Sequence, residues 1–204
     1  MKTLDGVIII GLTGQSGAGK STASKLFSES GLAVIDCDKI ARAAADIPEF
    51  LSETEKLFPG VIIDGALDRQ KLAGIVFNNS LLLKRYTSLI FPYITALVFK
   101  HIRELKSAGE RIIILDAPTL FESGLDVICN AVISVIAPFD VKLRRILERD
   151  GIPVELIRSR ISSQHDEEYF SKRSDYVIHN DGNLDALKQN VSKVADAVKE
   201  RFDV

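Results

Sequence analysis

Cysteine is nearly missing from this chain of 204 residues: Cys37 and Cys129 are the only two. Two thiols with no CxxC and no Cys/His cluster exclude a disulfide framework and a zinc site of the usual spacing, so two reduced cysteines are expected. An excess of charge of one sign is missing too. With 26 basic against 28 acidic residues there is no global nucleic-acid signature; no nucleic-acid partner is expected, and any anionic ligand must be met by local charge. No uninterrupted apolar run approaches the ~20 residues that span a bilayer, and the first residues lack the ordered charged and apolar regions of a signal peptide. These absences predict a cytoplasmic protein without a membrane partner; separately, a monomer or a weak homo-oligomer is expected.

The three histidines, His101, His165 and His179, stand at neither metal nor triad spacing and read as structural or surface groups. No internal repeat or low-complexity tract interrupts the chain. Its length suits one well-filled core with insertions better than two separate cores.

What is present is alternation. Five β-branched apolar runs read as strands: "VIIIGL" (7–12), "AVID" (33–36), "RIIILD" (111–116), "AVISVI" (131–136) and "DYVIHN" (175–180). Continuous apolarity is what a parallel sheet covered on both faces requires. Helical patterns fall between and after them, at Ser21 to Glu29, Asp140 to Asp150 and Leu184 to Arg201. The fold class is therefore α/β with a parallel sheet. Between the second and third strands lie about seventy-five residues, far beyond the dozen or so of a simple crossover, so an insertion is needed. Within it "PEFLSETEKLF" and Ser80 to Leu105 read as helices, and "GVIIDGALDR" as a hairpin turning at Asp64-Gly65. A second excursion, from Val141 to about Arg173, carries Arg144, Arg145, Arg149, Arg158, Arg160, Lys172 and Arg173.

The strongest chemical signal is "GLTGQSGAGKST", in which Gly14 to Ser21 fits G-x-x-x-x-G-K-[ST] between a predicted strand and a predicted helix. Glycines let backbone N–H groups converge, and the helix after them adds its positive end, so Gly14, Gly17, Ala18 and Gly19 form a polyphosphate cradle. Lys20 would reach the β and γ phosphates, Ser21 would ligate magnesium and Thr22 would touch the α phosphate. The alternative is a flexible Gly/Ser turn, which the flanking strand and helix argue against. "IIILDAPTLFE" supplies the second element: an apolar strand ending in Asp116 can bring a carboxylate beside that magnesium.

A regulatory switch would show D-x-x-G and N-K-x-D, and neither occurs. A helical insertion plus an arginine-rich excursion is instead the plan of kinases with an acceptor domain and a closing lid. Arg145 and Arg149 lie four apart and share a helix face, where cationic side chains can stabilise the charge of phosphoryl transfer. A solvated helix laced with ion pairs is the alternative. Asp36 and Asp38, at the end of the second strand, could hold a metal or take a proton from a substrate. Asp38 could instead cap the helix "KIARAAAD", and Asp36 could merely end the strand. Cys37 should point away from both acids into the core.

Taken in order, "GLTGQSGAGKST", "GLAVIDCDKIAR", "GALDRQKLAGIVF", "FPYI", "LDAPTLFESGLD", "RRILERDG", "RISSQ" and "SDYVIHNDG" resemble the dephospho-coenzyme A kinase family over nearly the whole chain. The resemblance implies an adenylate-kinase-like P-loop fold with a five-stranded parallel sheet flanked by helices, over 1–40, 107–140 and 173–204. It further implies a helical acceptor-binding insertion over 41–106 and an arginine-rich lid over 141–172. The implied reaction is ATP-dependent, magnesium-assisted phosphorylation of the ribose 3'-hydroxyl of dephospho-coenzyme A. Asp38, Lys20, Arg145 and Asp116 would be catalytic, and Arg145 with Arg149 would lie over the ATP phosphates. Asp36, Arg42, Asp68, Arg69 and Pro92 would serve the acceptor. Another small-molecule kinase, acting on shikimate, gluconate or a nucleoside, and a non-catalytic nucleotide switch stay open as alternatives. The chain departs from the family pattern at Gln15-Ser16, where Gly-Ile is common, at Phe91, where a histidine is usual, at Thr119, usually leucine, and at Lys142, often glutamine.

Overall fold

The structure, a computed structural model, describes residues 6–203. Residues 1–5, which open the expected core segment and the stretch read for a signal peptide, lie outside the described residues. The chain divides into two compact units, 1–35 with 105–204, and 36–104.

In chain order the elements are β1 (Ile8–Gly14), α1 (Lys20–Glu29), β2 (Ala33–Asp36), α2 (Cys37–Ala44), α3 (Pro48–Leu57), β3 (Ile62–Ile63), β4 (Ala66–Leu67), α4 (Arg69–Val76) and α5 (Ser80–Ser107). Then come β5 (Ile112–Asp116), a 3₁₀ turn at Leu125–Ile128, β6 (Ala131–Ile136), α6 (Phe139–Asp150), α7 (Val154–Ser162), α8 (Glu167–Lys172), β7 (Tyr176–His179) and α9 (Leu184–Phe202).

The first unit is built on a five-stranded parallel sheet in the order β2-β5-β1-β6-β7. All seven residues of β1 are buried, as a central strand covered on both faces must be. On one face Ile8, Ile10, Leu12, Ile114 and Ile133 pack against Phe27 of α1 and Leu187, Val191, Ala195 and Val198 of α9. The four- and three-residue spacing of those α9 positions explains its helix as an apolar stripe laid on the sheet. β1 runs two residues past its apolar stretch because Thr13 and Gly14 still pair with Ser134 and Val135 of β6. Gly14 is obligatory there: its φ is 151°, and a Cβ would lie 2.3 Å from the Val135 carbonyl oxygen.

In the second unit β3 and β4 form the expected hairpin, with Asp64 at φ 51° and Gly65 at φ 79° in its turn. Glu55 accepts from the Gly60 and Ile62 N–H groups at 2.6 and 3.0 Å, and those bonds hold its carboxyl below the usual range. Phe58, Val61, Leu72 and Val76 are its core, with Tyr86 packed against them. Phe50 meets Tyr86 and Tyr93 edge to face. Among the described residues α5 is the one helix long and apolar enough to cross a membrane on those two measures alone. It buries Ile90, Ile94, Val98 and Ile102, four residues apart, within the protein.

Candidate active site

Between β1 and α1 the chain wraps through Gln15 to Gly19. Gly17 and Gly19 sit at φ 79° and 98°, and the Ala18 N–H donates to the Gln15 carbonyl at 3.1 Å. Gly19 admits no side chain, because a Cβ would come 2.2 Å from Asn180 Nδ2. As the N-cap of α1 it leaves the first N–H groups of the helix without side-chain partners, which is where an anion binds. Ser21 and Thr22 stand exposed on that first turn.

β5 lies beside β1 with Asp116 in register with Leu12. The Asp116 carboxylate, the last residue of its strand, accepts from Lys20 Nζ at 2.5 Å, with the two side chains 10% and 12% exposed. Thus the loop lysine and the strand-end carboxylate foreseen as separate phosphate and metal groups are here bonded to each other.

On the opposite rim Arg145 of α6 donates from Nη1 to the Asn180 carbonyl at 3.0 Å and to the Ala18 carbonyl at 3.5 Å. Its Nη2 reaches Asn180 Oδ1 at 3.4 Å. Burial, and Arg144 beside it, lower its guanidinium from the ordinary value, with Glu148 opposing. Arg149 points elsewhere. It makes a bidentate pair with Asp150, at 2.6 and 2.9 Å, and Asp150 also accepts from Arg160 at 2.9 Å. That pair raises Arg149 and lowers the Asp150 carboxyl, Arg149 being the larger cause and Arg160 the smaller.

Asn180 is the residue sequence reasoning passed over. It follows β7, is 5% exposed, and donates from Nδ2 to the Ala18 carbonyl at 2.7 Å. One amide thus fixes both the cradle and Arg145. Its place at the end of a predicted strand, "DYVIHN", is its only sequence signal. Replacing Asn180 with Ala is expected to weaken ADP binding about tenfold, the size of effect a lost buried hydrogen bond carries. Titration calorimetry checks this; unchanged affinity would remove Asn180 from the site.

In the second unit Asp36 is the N-cap of α2: its Oδ1 accepts from the Lys39 N–H at 3.0 Å, and Oδ2 lies 3.5 Å from Lys39 Nζ. The capping role weighed for Asp38 therefore falls to Asp36, since the helix begins at Cys37, two residues earlier than "KIARAAAD". Asp38 sits exposed in the first turn. Cys37 is buried, as expected, although as the first helical residue and not as part of an extended segment. Arg69 donates to the Arg42 carbonyl at 3.2 Å and pairs with Asp46 at 3.7 Å, while Asp68 caps α4 through the Lys71 N–H at 2.9 Å. Arg42, Asp68 and Arg69 are thereby gathered. Pro92 is exposed within α5. Burial, then Asp126, push the Cys129 thiol up to about 12, which keeps it protonated and unreactive at neutral pH.

A polyphosphate loop at the end of a central parallel strand, with a largely helical unit inserted after β2, is the architecture of P-loop kinases. Shikimate kinase from Acinetobacter baumannii shares that fold, at TM-score 0.53 and 14% identity over 96% of this chain and 94% of its own. Within the class the match sharpens. The dephospho-CoA kinase family model fits residues 8–186. A dephospho-CoA kinase from Fusobacterium nucleatum is 39% identical over 194 residues, 94% of this chain and 99% of that protein. One from Deinococcus radiodurans is 38% identical over 179 residues, 88% and 86% of the two chains. The crystal structure of TT1252 from Thermus thermophilus superposes at TM-score 0.83, with 33% identity over 94% and 97%. This chain belongs to the dephospho-CoA kinase family.

Proposed function

We propose that the chain transfers the γ-phosphoryl group of ATP to the ribose 3'-hydroxyl of dephospho-coenzyme A, releasing coenzyme A and ADP, the last step of coenzyme A synthesis. Family membership over residues 8–186 is the observation that carries this reading. Lys20, at the start of α1, exchanges Asp116 for phosphate oxygens and holds them against the helix N-terminus.

Magnesium fits the donors available. Among the described residues no group of three or more His, Cys, Asp or Glu could cage a metal alone, and magnesium instead takes one or two protein oxygens plus phosphates and water. Ser21 and Asp116, the latter through water, would hold it, and it would neutralise charge developing on the β and γ phosphates.

Asp38 accepts the hydroxyl proton as the oxygen attacks phosphorus and the bond to the β-phosphate bridge breaks. Asp36 supports it by fixing the start of α2. Arg42, Asp68, Arg69 and Pro92 line the acceptor side in this reading. Residues 41–106 are the acceptor domain, 141–172 the lid, and 1–40, 107–140 and 173–204 the nucleotide core. Arg145 braces the phosphates from the loop rim. Arg149 joins it once a phosphate outcompetes Asp150. The enzyme works as a cytoplasmic monomer or weak homo-oligomer.

ADP release, followed by a coupled assay with dephospho-coenzyme A, shikimate, gluconate and nucleosides offered separately, tests the proposal. Dephospho-coenzyme A is expected to be the acceptor with the highest kcat/KM. A higher value for another alcohol would reassign the substrate, and no ADP release with any acceptor would leave a nucleotide-dependent switch.

A further inference from the structure

Gln15 and Lys142, 127 positions apart in the chain, touch each other. Gln15 belongs to the phosphate loop, yet its side chain is 5% exposed and turned to the outer side of that loop, where both ends are bonded. Its Oε1 accepts from Lys142 Nζ at 2.6 Å, and its Nε2 donates to the His165 carbonyl at 2.8 Å. Next to it the Ser16 N–H donates to Gln164 Oε1 at 3.0 Å.

Lys142 is 3% exposed in the first turns of α6, and its ammonium lies 3.6 Å from Glu167 Oε1 at the start of α8. Burial lowers it from the ordinary lysine value and Glu167 opposes. Its own carbonyl would sit 2.9 Å from a Cβ on Gly17, so α6 backs directly on the loop. A buried ammonium and a buried amide are retained only where their hydrogen bonds are met. Here the bonds run from the cradle to two places in the arginine-bearing excursion, the root of α6 and the segment 164–167 that leads into α8.

We propose that Gln15 and Lys142 are a positioning pair for phosphoryl transfer, through which the phosphate loop and the excursion that carries Arg145 hold each other's geometry. Neither side chain touches the substrate in this proposal; both act through the loop backbone and through α6. The inference rests on the nucleotide reading of the P-loop but not on the identity of the acceptor.

Its test uses the full chain and three readouts: ADP affinity by calorimetry, the thermal midpoint without ligand and the acceptor KM. The variants are Gln15→Met, Lys142→Met and the double variant, methionine being close in volume to both residues. Each single change strands a buried polar group and lowers the midpoint, whereas removing both partners leaves an apolar contact and restores part of it, the His165 carbonyl and Glu167 still having lost their bonds. A positioning role predicts that ADP affinity nonetheless stays about tenfold below wild type in the double variant, because the link is gone. The acceptor KM is expected to stay within about twofold, since the variants leave the acceptor unit untouched. Recovery of ADP affinity together with the midpoint would reduce the pair to a structural contact and overturn the proposal. If a single variant does not fold, the double variant decides alone. Failure of the wild-type chain to bind ADP would sink the nucleotide reading instead, a separate outcome.

Discussion

Asp38→Asn is expected to lower kcat with dephospho-coenzyme A by about 10²- to 10⁴-fold, the contribution of a positioned general base. ADP affinity should stay within about twofold, because the change leaves the phosphate loop and Lys20 intact. The two acids of "VIDCDKIAR" have different surroundings. Asp36 already has a helix to cap, with Oδ1 engaged by the Lys39 N–H and Oδ2 facing the Lys39 ammonium. An amide oxygen caps a helix nearly as well as a carboxylate, so Asp36→Asn should keep α2 and cost turnover less than about tenfold. Steady-state kinetics on the two variants side by side separate the roles. If Asp36→Asn proves the more damaging, Asp36 is the base and Asp38 its neighbour; if both retain wild-type turnover, neither acid takes the proton.

Elements whose causes are local were legible in the sequence. The strands read from apolar runs recur as β1, β2, β5, β6 and β7, and "AVISVI" matches β6 residue for residue. The misjudged ends have physical reasons. The apolar run of β1 ends at Leu12, which sets its predicted end, but a sheet pairs backbones, and Thr13 and Gly14 continue the ladder against β6. The sequence reading assigns no element to 69–76, although Asp68 caps α4 and Leu72 and Val76 are one turn apart, a stripe too short to stand out as a period. At the site the same division holds. The cradle is a run of neighbouring backbone N–H groups, so eight consecutive residues announce it. Asn180 on the Ala18 carbonyl spans 162 positions and Lys142 on Gln15 spans 127, and nothing in a linear pattern encodes those meetings. Arg145 and Arg149 share a helix face, as their spacing said, yet Asp150 claims one and the loop rim the other.

Lys20→Met should be the most damaging single change on the nucleotide side, with turnover falling by at least about 10²- to 10³-fold, as when a preorganised donor to transition-state charge is removed. ADP binding should fall with it. Two effects combine, and they can be separated. Lys20 Nζ is the partner of a carboxylate only 10% exposed, and stripping one member from a mostly buried pair costs about 3–5 kcal/mol of stability at full burial and less at this exposure. A lower thermal midpoint is therefore expected in the lysine variant. Asp116→Asn isolates the other half: its amide oxygen still accepts from Lys20 but no longer balances the ammonium's charge, so the midpoint should fall, though less than in the lysine variant, while the magnesium-free ADP affinity should be no lower than in the wild type. What it loses is the charge that would favour magnesium. Added magnesium is then expected to strengthen ADP binding in the wild type but not in Asp116→Asn, with turnover falling in parallel. Full magnesium enhancement in Asp116→Asn would take Asp116 out of the metal's surroundings and leave it as the structural partner of Lys20. Wild-type ADP affinity in Lys20→Met would place the phosphates somewhere other than the glycine loop.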